Sequence, residues 1–285
     1  MRIAVHQGGV LLLINDTTGI DVAVASGGRF GPAPATIYES WPDFSAWVKE
    51  LDISALTTVA VDQRGLDCPS PQARQVFGIG LNYKQHAAES GYPLPDVPPV
   101  FTKFPTSLAA PYSQVTLPAG GNTDWEAELV VIIGRIGHRI PEARAWSHVA
   151  GVCIGQDLSE RILQMADPTK QFSLGKSYPG FGPFGPWLVT PDELDDPDNI
   201  GIGCSVDGEV MQAARTNDLI FPIPVLIAHL SQTVTLLPGD VIFTGTPGGV
   251  GLGMSPARYL APGQTLVTWA EGLGRIEQTC VAQRE

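Results

Sequence analysis

Basic residues are scarce in this chain: 17 Lys and Arg stand against 29 Asp and Glu, for a net charge of −12. A nucleic-acid binder needs a basic patch, and none is present. The same deficit argues against docking on an anionic membrane surface. Cysteine is scarce too. Cys68, Cys153, Cys204 and Cys280 are scattered, with no CxxC pair and no Cys/His cluster. That removes zinc-finger and thioredoxin-like readings and fits buried thiols in a reducing, cytoplasmic compartment. No run of about 18 apolar residues exists to span a membrane, and Val10 to Ile14 is too short for the core of a secretion signal. Nucleotide-loop signatures are missing as well. GFGPFG at 180–185 formally fits G-x-G-x-x-G, but Pro183 removes a donor and no helix follows.

Glycine and proline, by contrast, are plentiful. With 32 Gly and 25 Pro they make up roughly a fifth of the chain, above the usual ~12%. Together with 44% hydrophobic residues, this predicts a loop-rich, mostly β (α+β) fold with a full core. Residues 1–70 read as a small N-terminal α+β domain. It opens with strands at Arg2 to Val5 and Val10 to Ile14, joined at Gly8–Gly9, and has a helix over Asp43 to Leu51. A polar connection ends it near residue 70, and residues 71–285 form the second, larger unit.

The stretch TDWEAELVVIIGR, Thr123 to Arg135, predicts a buried strand with Glu126 and Glu128 at its entrance. Residues i and i+2 of a strand point to one side. Two carboxylates that close need a compensating cation, unless the strand end simply faces water. Oxygen ligands select Mg²⁺ or Mn²⁺. The apolar run from His148 to Gly155 ends at Gln156–Asp157, which makes Asp157 the candidate third ligand.

Other segments carry candidate chemistry. In NYKQHAAE, Asn82 and Gln85 have the spacing of a helix cap. His86 and Glu89, at i and i+3, share a face, either as a base and its orienting carboxylate or as an incidental exposed pair. The Pro-rich GYPLPDVPPVF after them predicts an irregular tether, so that the helix could serve as a lid. Lys103 could face a substrate or simply water, and water is the default expectation. Leu158 to Ala166 reads as helical. Lys176, in a glycine-rich turn with aromatic neighbours, could neutralise a developing oxyanion. In TGTPGGVGLG, the backbone N–H groups and the Thr246 hydroxyl could hold a small carboxylate, or the loop could be a plain tight turn.

Taken in order, NYKQHAAE, DWEAEL, QDLSERILQ, GKSYPGFGPFGP and GDVIFTGTPGGVG resemble the fumarylacetoacetate hydrolase family across roughly residues 75–281. The resemblance implies a mixed β-sandwich roll, a homodimer and action on 2-oxo acids. It implies Glu126, Glu128 and Asp157 as divalent-metal ligands and His86 with Glu89 as a lid-borne, water-activating pair. By the same resemblance, Lys176 is the active-site lysine, Arg161 and Gln164 help hold substrate, and Thr246 binds the substrate carboxylate. Gln156, Glu160 and Tyr178–Pro179 depart from the family's commoner residues. The expected reaction is hydrolysis of a 2,4-dioxo acid to pyruvate and a carboxylic acid. The alternatives are decarboxylation of an oxaloacetate-like acid, isomerisation of a 2-hydroxy-dienedioate, and metal-dependent dicarboxylate binding without turnover.

Overall fold

The apolar run Ala127–Ile133 is buried along its whole length, because it has a strand on each side and a core on each face. It pairs antiparallel with Val149–Gln156 and with Val241–Phe243. Side chains alternate across a strand, so Leu129, Val131 and Ile133 enter one core with the helix Ile223–Thr233 and with Ile202 and Ile276. Val130 and Ile132 enter another, against Tyr38, Trp41 and Phe44 from the helices Pro34–Glu39 and Trp41–Glu50. The computed structural model describes residues 1–283 apart from 90, 92 and 167.

This strand lies inside a mixed twelve-stranded sheet. On one side the order runs through Val149–Gln156 and Gly182–Val189 to Arg2–His6 and Gly9–Asn15. On the other it runs through Val241–Phe243 to Val76–Ile79 and Val100–Thr102. Strands from both sides of residue 70 therefore share one sheet, with Ile3 in register with Leu188. A second sheet of five strands runs Glu209–Arg215, Gly201–Val206, Thr265–Ala270, Gly274–Ala282, Tyr112–Leu117. It encloses a third core around Trp125, Phe181 and Leu266. The result is the mostly β (α+β) fold that the composition predicts, with the mixed sheet that the family resemblance implies.

Local chemistry explains where elements depart from expectation. The helix Trp41–Glu50 takes Pro42 into its first turn, where a missing N–H costs nothing. Leu158 to Ala166 is not one helix. Ser159–Glu160 pairs with Thr123–Asp124, and a single turn, Arg161–Gln164, follows. Glu160 accepts hydrogen bonds from the N–H groups of Ile162 and Leu163, so the helix begins at this cap.

Candidate active site

Strand register assembles the acidic cluster. Ala127 pairs with Gln156, which sets Glu126 beside Asp157, and the Asp157 N–H donates to the Glu126 carbonyl at 2.9 Å. Glu126, Glu128 and Asp157 are buried. One oxygen from each lies within 4.8 Å of the others, and no other such group of three occurs among the described residues.

Three cations meet these acids. Lys176, at the end of the turn Phe172–Gly175, donates from Nζ to Glu126 Oε2 and to Asp157 Oδ2, both at 2.6 Å. Burial opposes its charge, but Asp157 and Glu126 outweigh that and raise its pKa. Arg161 donates from Nε to Asp124 Oδ2 at 2.8 Å. Its Nη1 lies 2.8 Å from both Glu126 Oε1 and Gln164 Oε1. Lys103 corrects the expectation of a solvent-facing residue: it is 1% exposed. Its Nζ donates to Asp157 Oδ1 at 2.6 Å and to the carbonyls of Lys176 and Phe181. The pairing of Val100–Thr102 with Val76–Ile79, extended by Lys103 N–H to Val76 O, carries it there. Burial lowers its pKa, and Asp157 opposes that shift.

The cluster holds four carboxylates, Asp124, Glu126, Glu128 and Asp157, against Lys103, Arg161 and Lys176. It is one positive charge short. Glu128 carries the imbalance: burial first, then the charges of Asp157 and Glu126, push its pKa well above the ordinary glutamate range. A divalent cation relieves that strain, and an all-oxygen donor set suits Mg²⁺ or Mn²⁺. The residues present fit such an ion.

The loop after Val241–Phe243 does offer N–H groups to carboxylates, but to the protein's own. Gly245 donates to Glu128 Oε2 at 2.7 Å, Gly249 to Glu89 Oε2 at 2.9 Å, and Gly251 to Asp124 Oδ1 at 2.7 Å. The Thr246 hydroxyl donates to Ala127 O at 3.0 Å and accepts from Gln212 Nε2 at 2.8 Å. Gln212 in turn accepts from the Ala127 N–H at 2.9 Å.

His86 and Glu89 sit on the short helix Lys84–Glu89. Asn82 does not cap it. Its amide donates to Phe221 O and Thr244 O and accepts from Phe221 N–H, which ties the base of the helix to the glycine-loop strand. His86 Nδ1 lies 3.7 Å from Glu89 Oε2, a separation longer than a hydrogen bond. Burial acts against the Glu89 charge, but His86 and the Gly249 N–H prevail and lower its pKa. The irregular segment after the helix is as expected where described; residues 90 and 92 lie outside the described residues. A cavity of about 360 Å³ opens under the helix, and His86, Glu89, Glu126, Arg161, Gln164, Lys176 and Thr246 all line it. Glu128 and Asp157 lie behind that wall.

Lys103, Asp124 and Gln212 escape a reading of sequence motifs. Alternation held a signal for two of them: Phe101 and Lys103 are i and i+2, as are Asp124 and Glu126.

The sequence profile described as Fumarylacetoacetate (FAA) hydrolase C-terminal matches residues 75–281. The chain belongs to that family of enzymes. Among relatives, a Burkholderia multivorans chain provisionally named a hydrolase is 44% identical over 241 residues, 84% of this chain and 85% of that one. A Mycobacterium smegmatis structure provisionally named HpcE is 51% identical at a TM-score of 0.94, covering 100% of both chains. Maleylpyruvate hydrolase from Sphingobium sp. SYK-6, solved with manganese(II) and pyruvate, is 26% identical at a TM-score of 0.83, again over 100% of both.

Proposed function

We propose that this protein is a metal-dependent hydrolase that splits the C3–C4 bond of a 2,4-dioxo acid into pyruvate and a carboxylic acid. One observation carries the reading: a His–Glu pair on a short helix faces Lys176 and Glu126 across one cavity, with the other two acids directly behind. The manganese and pyruvate held by the Sphingobium relative support it. Simple binding of a dicarboxylate would need no base. The proposal includes a homodimer acting in the cytoplasm on a small 2-oxo acid.

Glu126, Glu128 and Asp157 would hold Mg²⁺ or Mn²⁺, which when bound supplies Lewis acidity toward the 2-oxo acid end of the substrate. Lys176 presents an ammonium where negative charge builds on the 2-oxygen. Arg161 fixes Glu126 and Gln164 around that end of the cavity, beside Thr246. His86, oriented by Glu89, takes a proton from water. The hydroxide oxygen bonds to C4, the C3–C4 bond breaks, and its electron pair leaves on C3 as the pyruvate enolate. Protonation of C3 completes pyruvate, and the C4 fragment departs as the carboxylic acid.

Product analysis tests this. Acetylpyruvate with Mg²⁺ or Mn²⁺ should give pyruvate and acetate, and EDTA should abolish the reaction. Turnover of oxaloacetate or of 2-hydroxyhepta-2,4-diene-1,7-dioate alone would replace the hydrolase reading with a decarboxylase or an isomerase. Metal-dependent thermal stabilisation with no turnover at all would reduce the protein to a binding domain. His86→Ala should lower kcat about 10²–10⁴-fold while Mn²⁺ still raises Tm.

A further inference from the structure

A volume of about 360 Å³ belongs to pockets that take ligands well larger than pyruvate. The wall beyond the reacting end is apolar. Phe101 starts it: its ring lies 5.0 Å from Lys176 Nζ and meets Phe172 edge-on at 5.8 Å and 71°. Phe101 is locked from behind, because a Cβ on Gly78 would fall 2.3 Å from its ring. Pro99 and Leu81 continue the lining.

Leu81 is the informative residue. Its φ is +48°, a left-handed conformation that bulky side chains rarely adopt and that strains the backbone. A glycine would take it without strain, yet a leucine side chain is presented to the cavity there, only half-buried. The next residue, Asn82, is held in place by its bonds to Phe221 and Thr244. Charge is placed differently. Arg161 and Lys176 are engaged with Asp124, Glu126 and Asp157, and Lys170 is exposed at the rim.

We infer that Leu81, Phe101 and Phe172 form a subsite for an apolar arm on C4, so that the preferred substrates are acylpyruvates with an alkyl or aryl acyl group, in place of dicarboxylates. This rests on the reading of the reacting end proposed above. An apolar arm removed from water here gains roughly fourfold in affinity per buried methylene, whereas a second carboxylate would lose its hydration against Leu81 and the two rings.

Uncleavable 2-oxo acids separate the two claims. Calorimetry with Mn²⁺ present would compare pyruvate, 2-oxooctanoate, 4-phenyl-2-oxobutanoate and 2-oxoadipate. The apolar-armed acids should bind at least 10-fold tighter than pyruvate, and 2-oxoadipate should gain nothing. In Leu81→Gly the ratio of 2-oxooctanoate to pyruvate affinity should fall toward one while Tm does not drop; a leucine kept only for structure would lower Tm and spare the ratio. Phe172→Ala should also cut the ratio, more for the phenyl acid. Tighter binding of 2-oxoadipate than of 2-oxooctanoate, removed by Lys170→Gln, would overturn the inference and leave the reacting end intact. Failure of pyruvate itself to bind, with acetylpyruvate uncleaved, would instead reject the hydrolase reading.

Discussion

At the scale of single residues, Lys103 sets the sharpest expectation. It holds a buried carboxylate and two carbonyls, so Lys103→Met leaves Asp157 short of a partner. Breaking a buried pair from one side costs about 3–5 kcal/mol, and urea unfolding in the presence of EDTA should show a loss of that order. A solvent-facing lysine, as the sequence alone suggests, would cost almost nothing. Lys176→Met differs in kind: kcat should fall about 10²–10³-fold, the usual effect of removing one donor to a developing oxyanion. Glu126, Glu128 and Asp157 were legible in the sequence because strand alternation and a strand end are local patterns. Lys103 was not, because its partners lie 54 to 78 residues away along the chain.

At the scale of elements, the glycine loop and the lid helix act as a pair. A Cβ on Gly253 would fall 2.3 Å from Glu89 Oε1, so Gly253→Ala should push Glu89 off its seat and tilt His86 with it. A displacement near 1 Å costs about 10²-fold in rate. Steady-state kinetics should show that loss, with an unfolding midpoint close to the parent's. The N-terminal hairpin, Arg2–His6 with Gly9–Asn15, was readable from its turn glycines and β-rich runs. Asn82 was misread because an asparagine three residues before Gln85 looks the same whether it caps a helix or ties two distant loops. Likewise the loop's capacity to bind carboxylates was visible, but not whose carboxylates, since that depends on register between strands far apart in sequence.

At the scale of the whole molecule, charge and layering make two expectations. The acidic cluster lacks one positive charge, so metal binding should stabilise the fold. At 100 times its Kd an ion adds about 2.7 kcal/mol, roughly 5–10 °C in Tm for a chain of this size, and a thermal melt with Mn²⁺ or EDTA checks it. The N-terminal helices cover Val130 and Ile132 on the strand that leads from the acids. A fragment starting at residue 71 should therefore expose that face and fail to give a cooperative melt, whereas a self-sufficient second domain would give one.

Glu128, Glu89 and Asp124 each accept a peptide N–H from a single loop. All three donors are glycines, and a Cβ on them would fall 2.5 Å from Asn82, 2.1 Å from the Met211 carbonyl and 1.8 Å from the Arg258 carbonyl, so any added bulk in that segment endangers the three acids. Laboratory evolution toward new acyl groups should leave the loop nearly untouched and collect its changes on the opposite wall.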